Sequence, residues 1–182
     1  MRDGGEGSAA RVAAAIESLI DAVGRLTLWL ALAMIALVAT NVLLRYAMSL
    51  GSVWAQELEW HLLAAMIMLG MSHALQRGES VRVDLFYGRY GPRARWWVDL
   101  VALLLLLAIA LLFARLSIGY VAQAWSVGER SADPGGIPWR WAVKSLIPAG
   151  CVLIALHAVA ATIRLLVARP GRDGARTEAA RG

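Results

Sequence analysis

Four long apolar runs, each carrying few charges, are the dominant pattern along the chain. They lie at about 26–44, 54–75, 96–120 and 146–168. Each exceeds the roughly 18 residues that a helix needs to cross the hydrocarbon core of a bilayer. The expected fold is all-α and integral to the membrane, with four transmembrane helices. Ahead of the first run, Val12, Ile16, Leu19, Ile20 and Val23 recur at three- and four-residue steps, with Arg11, Glu17 and Asp21 off that stripe. Two readings of the stretch stay open: an amphipathic helix lying in the headgroup layer, or a plain extension of the first span. Residues 1–8 and the tail 169–182 are glycine-rich or polar, and disorder is expected in both.

The polar residues that punctuate the runs organise the chain. The first span closes with Asn41 and Arg45, and a short linker makes spans one and two antiparallel neighbours. Span two opens at Trp54 with Glu57 and Glu59 in its first turn, where the helix dipole favours carboxylates. The hairpin that follows carries Arg77, Arg82, Arg89, Arg93 and Arg95, and Pro92 suits the first turn of span three. Span three shows no polar side chain from Val101 until Arg115, which predicts a largely lipid-facing helix. Pro134, Gly135, Gly136 and Pro138 then require a stiff non-helical turn. Span four has Pro148 in its first turns and small residues at Ala149, Gly150, Ala155, Ala158 and Ala161, which permit close helix approach.

Composition agrees, with 59% of the 182 residues hydrophobic and a mean hydropathy of +0.60. The formal charge of +5 does not indicate nucleic acid, because the basic residues gather at span ends, where they meet lipid headgroups. Thirteen of them fall on the side shared by the N-terminal segment, the 77–95 hairpin and the C-terminal end, against four on the other. The positive-inside bias therefore places both termini in the cytoplasm. The first apolar run is too long for a signal-peptide core, so that helix is expected to be retained. Cys151 is the sole cysteine and lies inside span four, which rules out an internal disulfide.

Few residues offer chemistry. Glu57 and His61 are spaced i, i+4, with Arg45 at similar depth on span one. They fit either a proton or ion relay or an Arg45–Glu57 tie between neighbouring helices or to a partner subunit. His73 and His157 fall at matched depth and could ligate a b-type haem, although no second pair exists. No P-loop, dinucleotide fingerprint, C-x-x-C-H or H-E-x-x-H occurs, and neither cofactor, metal nor enzymatic activity is expected. Trp54, Trp60, Trp96, Trp97, Trp139 and Trp141 sit at span ends as an aromatic belt.

The order NVLLRY, then W-x-x-E-L-E over Trp54–Glu59, then G-x-x-x-A-L-Q-R-G-E-S-V-R-V-D-L from Gly70 to Leu85, resembles the small, DctQ-like membrane subunit of tripartite ATP-independent periplasmic (TRAP) transporters. The segment GERSADPGGIPWRWAVKSLIPAG, which contains Pro138, Pro148 and Gly150, is similar to the same family. The resemblance covers about residues 26–168. It implies a non-enzymatic scaffold in the bacterial inner membrane, partnered by a large DctM-like membrane subunit, a periplasmic substrate-binding protein and membrane lipid. It also implies ion-driven uptake, usually with sodium, of carboxylates or related organic anions, with ion and substrate sites in the large subunit. Carried over, Arg45, Trp54 and Glu57 would shape the outer end, and Arg77, Gly78, Val83 and Asp84 the inner hairpin; Glu59, Pro138, Pro148 and Gly150 are further candidates for a partner interface. The rival readings are a haem-bearing respiratory anchor and a stand-alone small transporter or channel.

Overall fold

The computed structural model describes residues 3–78 and 90–168, with side chains from Gly7 onward. Val83 and Asp84 lie outside the described residues. Four helices account for nearly all of the rest: α1 (Asp3–Met48), α2 (Val53–Gln76), α3 (Pro92–Ser126) and α4 (Arg140–Val167). All four are long and apolar enough to cross a membrane. The all-α, four-span membrane class expected from the hydropathy pattern is therefore the one observed.

Local signals explain the helix boundaries. Ser52 caps α2, its hydroxyl accepting the Ala55 N–H at 3.3 Å, which satisfies one of the donors a helix start leaves orphaned. At the other end of α2 the Arg77 and Gly78 N–H groups fold back onto the His73 and Leu75 carbonyls. Gly78 takes the positive φ of 73° that such a stop favours. Pro92 occupies the first turn of α3, where its missing N–H costs nothing.

The helices are not equal partners. α4 packs against each of the other three, α1 and α2 pair along their length, and α3 packs chiefly on α4. Large side chains do not fill the interior. Its buried apolar members are mostly alanines, with Ile20 the largest fully enclosed one. This is the economy expected in lipid, where apolar side chains gain little by leaving acyl chains and close backbone packing does the work. α3 illustrates it: Ala110, Ala114, Ser117 and Ala124 form its buried stripe, while Leu104, Leu105, Ile109, Leu112 and Phe113 face outward, as its unbroken apolar run predicts.

Gly150 marks the tightest crossing of α2 and α4. A Cβ there would stand 2.5 Å from the Met68 carbonyl oxygen, so only glycine permits this approach. Between α1 and α2 the same device recurs at Gly24, where a Cβ would run into the His73 imidazole.

One open reading is decided and two expectations need correction. α1 is one continuous 46-residue helix, about 69 Å long, so the N-terminal stretch extends the first span rather than forming a separate helix. It begins at Asp3, inside the glycine-rich segment read as disordered, because adding residues to an existing helix is far cheaper than nucleating one. The apolar stripe is split: Val12 and Leu19 are half exposed, whereas Ile20, beside Ala13, is buried. Finally, α4 starts at Arg140, six residues before the expected span, which places Pro148 in the helix interior. Its ring removes one main-chain bond there, a loss that transmembrane helices tolerate when neighbours re-satisfy the freed carbonyl.

Candidate functional site

Polar side chains collect at the two ends of the bundle, and each collection ties different helices together. At the first end Glu57 is the centre. It projects from the first turns of α2 and is only 5% exposed. Its carboxylate accepts the Ile137 backbone N–H at 2.5 Å and the Ser131 hydroxyl, with the Arg140 guanidinium 3.4 Å away. Ser131 also lies 3.5 Å from Arg140 Nη2 and accepts the Asp133 N–H at 3.2 Å. The loop between α3 and α4 is thus wound around one carboxylate. Its main chain closes on itself as well, with Ser131 N–H to Ile137 C=O at 3.3 Å and Arg140 N–H to Glu129 C=O at 3.3 Å. Pro138 follows Ile137 directly and leads into α4.

Supporting contacts surround that clasp. Lys144 pairs with Glu129 and stands 3.9 Å from the centre of the Tyr120 ring, which ties the start of α4 to the end of α3. Trp125 and Trp141 meet edge to face at 4.7 Å. Asn41 of α1 donates to Glu59 at 3.0 Å. His61 contacts the Glu57 carbonyl through Nδ1 at 2.6 Å, and its Nε2 is buried without a partner.

The Arg45–Glu57 tie considered from sequence is not formed. Arg45 is exposed and lies over the Tyr46 ring at 5.3 Å, while the partners of the Glu57 carboxylate come from residues 131–140. The reason is rotational: Glu57 faces α4 and the loop, and it is Glu59 that turns toward α1. Trp54, half exposed, joins neither set.

At the opposite end Asp21 and Glu17 of α1 are the organisers. Gln76 donates to Asp21 Oδ1 at 3.1 Å and to the Glu17 carbonyl at 3.2 Å. His73 Nδ1 and Arg77 Nη2 stand 3.3 Å and 3.7 Å from the same Asp21 oxygen. Glu17 receives Arg164 of α4 in a two-pronged pair, Nε at 2.9 Å and Nη2 at 2.7 Å. Trp96 Nε1 donates to the Leu165 carbonyl at 3.1 Å, fastening the start of α3 to the end of α4.

Among the described residues no three His, Cys, Asp or Glu side chains are grouped to hold a metal ion. The two histidines weighed as haem ligands occupy different settings, His73 seated on Gly24 of α1 and His157 lining a cleft beside Arg164. What both clusters can do is lock helices and a loop in fixed positions.

Of the residues singled out from sequence, Glu57, Pro138, Pro148 and Gly150 fall on the α2–α4 side, and Arg77 and Gly78 at the end of α2. Ser131 and Arg140 were not singled out, and neither were Glu17, Asp21, Gln76 and Arg164. One signal for the acidic pair was present. Ala13, Glu17, Ile20, Asp21, Gly24 and Thr27 follow helical spacing, and this mostly small face with its two carboxylates adjoins the apolar stripe and shares Ile20 with it.

A family model described as the DctQ component of tripartite ATP-independent periplasmic transporters matches residues 34–168. No curated protein and no solved structure matches the chain.

Proposed function

Because the chain belongs to the DctQ component family of tripartite ATP-independent periplasmic transporters, we propose that it is the small scaffold subunit of such a transporter. In this reading it assembles with a large DctM-like membrane subunit, which carries the substrate and ion sites. Together they receive a periplasmic substrate-binding protein. Uptake is driven by an ion gradient, sodium in the usual case, and the cargo is a carboxylate or related organic anion. The protein lies in the bacterial inner membrane with both termini in the cytoplasm, which makes the Glu57 end periplasmic and the Glu17 end cytoplasmic. The thirteen-to-four distribution of basic residues supports that orientation.

The observation that carries a scaffold role is the Glu57 clasp. A subunit that moved substrate would need polar groups along its spans and an element with two arrangements. Here the buried carboxylate is used up in holding the 131–140 loop to α2. The loop therefore offers a partner a surface of fixed shape, with Trp125 and Trp139 exposed beside it, and preorganised surfaces bind at lower entropic cost.

A mild-detergent pull-down of the tagged chain from native membranes, followed by mass spectrometry, tests the reading. Recovery of a much larger multi-spanning protein is the expected result. Recovery of redox subunits, or of the chain alone, would sink it.

A further inference from the structure

We propose that Arg115 of α3 anchors a membrane helix of the large subunit by pairing with a carboxylate of that helix inside the bilayer. The proposal rests on the scaffold reading for the identity of its partner. Arg115 is the first polar side chain after Asp99 along α3, and it is exposed. Among the described residues its guanidinium joins no ion pair, hydrogen bond or aromatic ring. An ionisable side chain within a span normally faces the interior of a bundle and finds a partner there. Arg115 does the reverse. By helical spacing it lies on the side of α3 away from Ala110, Ala114, Ser117 and Ala124, the stripe that packs on α4.

Two contacts fix its depth. Trp96 donates to Leu165 at one end of α3, and Trp125 meets Trp141 at the other. About 43 Å of helix separates these levels, the thickness of a bilayer with its headgroup layers. Arg115 stands about 15 Å from the Trp125 level, within the hydrocarbon core. Lipid phosphate answers it poorly. Helical side chains lean toward the N-terminus of their helix, so Arg115 leans toward the Trp96 end and away from the nearer headgroups. That lean opposes the snorkelling by which an arginine escapes hydrocarbon. A second copy of this chain is no better. Carboxylates along the spans gather at the ends of the bundle, Glu17, Asp21 and Asp99 at one and Glu57 and Glu59 at the other. Glu57 and Glu59 already hold the loop and Asn41.

The surface around Arg115 suits a helix. Ala108, Gly119, Ala122 and Ser126 share its face, and all are exposed. A Cβ at Gly119 would meet nothing within 4 Å, so this chain's own packing does not call for a glycine that weakens the helix. Small residues there let a second backbone come close. A carboxylate carried on it can meet the planar guanidinium with two parallel hydrogen bonds.

The test uses the full chain in native membranes. A photo-crosslinker in place of Leu112 or Ile118, large exposed residues flanking Arg115, should capture the large subunit in a spanning segment that contains Asp or Glu. Arg115→Leu should insert normally and lower recovery of the large subunit about tenfold, because it strands the partner's carboxylate in the membrane. Arg115→Lys should retain most of the recovery. Arg115→Glu should abolish it, and exchanging the captured segment's carboxylate for arginine should restore it. Unchanged recovery with Arg115→Leu, capture of lipid or of a second copy, or a captured segment without a carboxylate would each overturn the proposal and leave the scaffold reading standing. If the unsubstituted chain recovers no larger membrane protein, the scaffold reading falls and the proposal with it. Should the Arg115 variants fail to fold, crosslinking with Arg115 in place decides.

Discussion

The Glu57 carboxylate of α2 accepts the Ile137 backbone N–H of the loop before α4 at 2.5 Å, though eighty residues separate them. A carboxylate that accepts a backbone N–H, a hydroxyl and a guanidinium at once holds a loop as a ligand would.

Removing that carboxylate frees the loop. Glu57→Ala leaves the Ile137 N–H and the Arg140 guanidinium without their acceptor, and Glu57→Gln keeps the shape but loses the charge. Both should lower the midpoint of thermal unfolding in detergent, alanine more than glutamine. Both should weaken recovery of the large subunit without altering the ion dependence of transport in whatever complex remains. A variant that assembles normally but no longer responds to sodium would place Glu57 in the coupling machinery.

The α2–α4 crossing should tolerate no side chain at position 150. Gly150→Ala drives a methyl group into the Met68 carbonyl, and separating the helices should cost about 1–3 kcal/mol. Gly70→Ala is the control. Its new Cβ would meet Thr27 at an ordinary 3.7 Å, and a change within about 0.5 kcal/mol is expected. Equal effects at the two positions, read from denaturation in mixed micelles, would count against the crossing as described.

Glu17 and Arg164 should behave as a pair. Either charge reversal alone is expected to loosen α1 from α4, seen as faster proteolysis within residues 7–25. The double reversal, Glu17→Arg with Arg164→Glu, should restore most of the protection. Since both side chains are partly exposed, at 31% and 49%, the pair contributes modestly and its loss should not unfold the bundle.

Orientation is open to direct labelling. In a Cys151→Ala background, a cysteine at Ala132 should react with a membrane-impermeant maleimide in cells with a permeabilised outer membrane. A cysteine at Ala10 should react only after the inner membrane is broken. Replacing Arg77, Arg93 and Arg95 with glutamine should blur that contrast by weakening the charge bias that fixes the topology. Labelling unchanged by those replacements would mean that other segments set the orientation.

Hydropathy alone revealed the four spans, because a bilayer imposes a length and a composition that no other environment demands. The lipid-facing side of α3 was legible for the same reason. Partner choice was not. Glu57 and Glu59 are two residues apart on one helix turn and look alike in sequence, yet one faces the loop and the other Asn41. Rotation about a helix axis is decided by packing, and in a bundle built on alanine and glycine the packing residues carry little hydrophobic signal. Glu17 and Asp21 were hidden for a related reason, since the more visible stripe of Val12 and Leu19 drew attention to the neighbouring face. The 131–140 loop could be read as a rigid turn from its prolines and glycines, but not as something closed around a residue seventy-four positions earlier.

The helix that touches all the others is the fourth of the described helices in chain order. When α1 and α2 leave the ribosome they can pair at once, through Gly24 and His73. α3 has no such partner yet, and its stripe of Ala110, Ala114 and Ser117 must stay open to lipid until residues 140–167 arrive. A nascent chain halted before Arg140 would consist of a helical hairpin and a separate third span, with the Glu57 carboxylate still lacking the loop that encloses it. Emergence of α4 is thus also the step that closes the bundle, and until then the small-residue stripe of α3 has lipid as its neighbour.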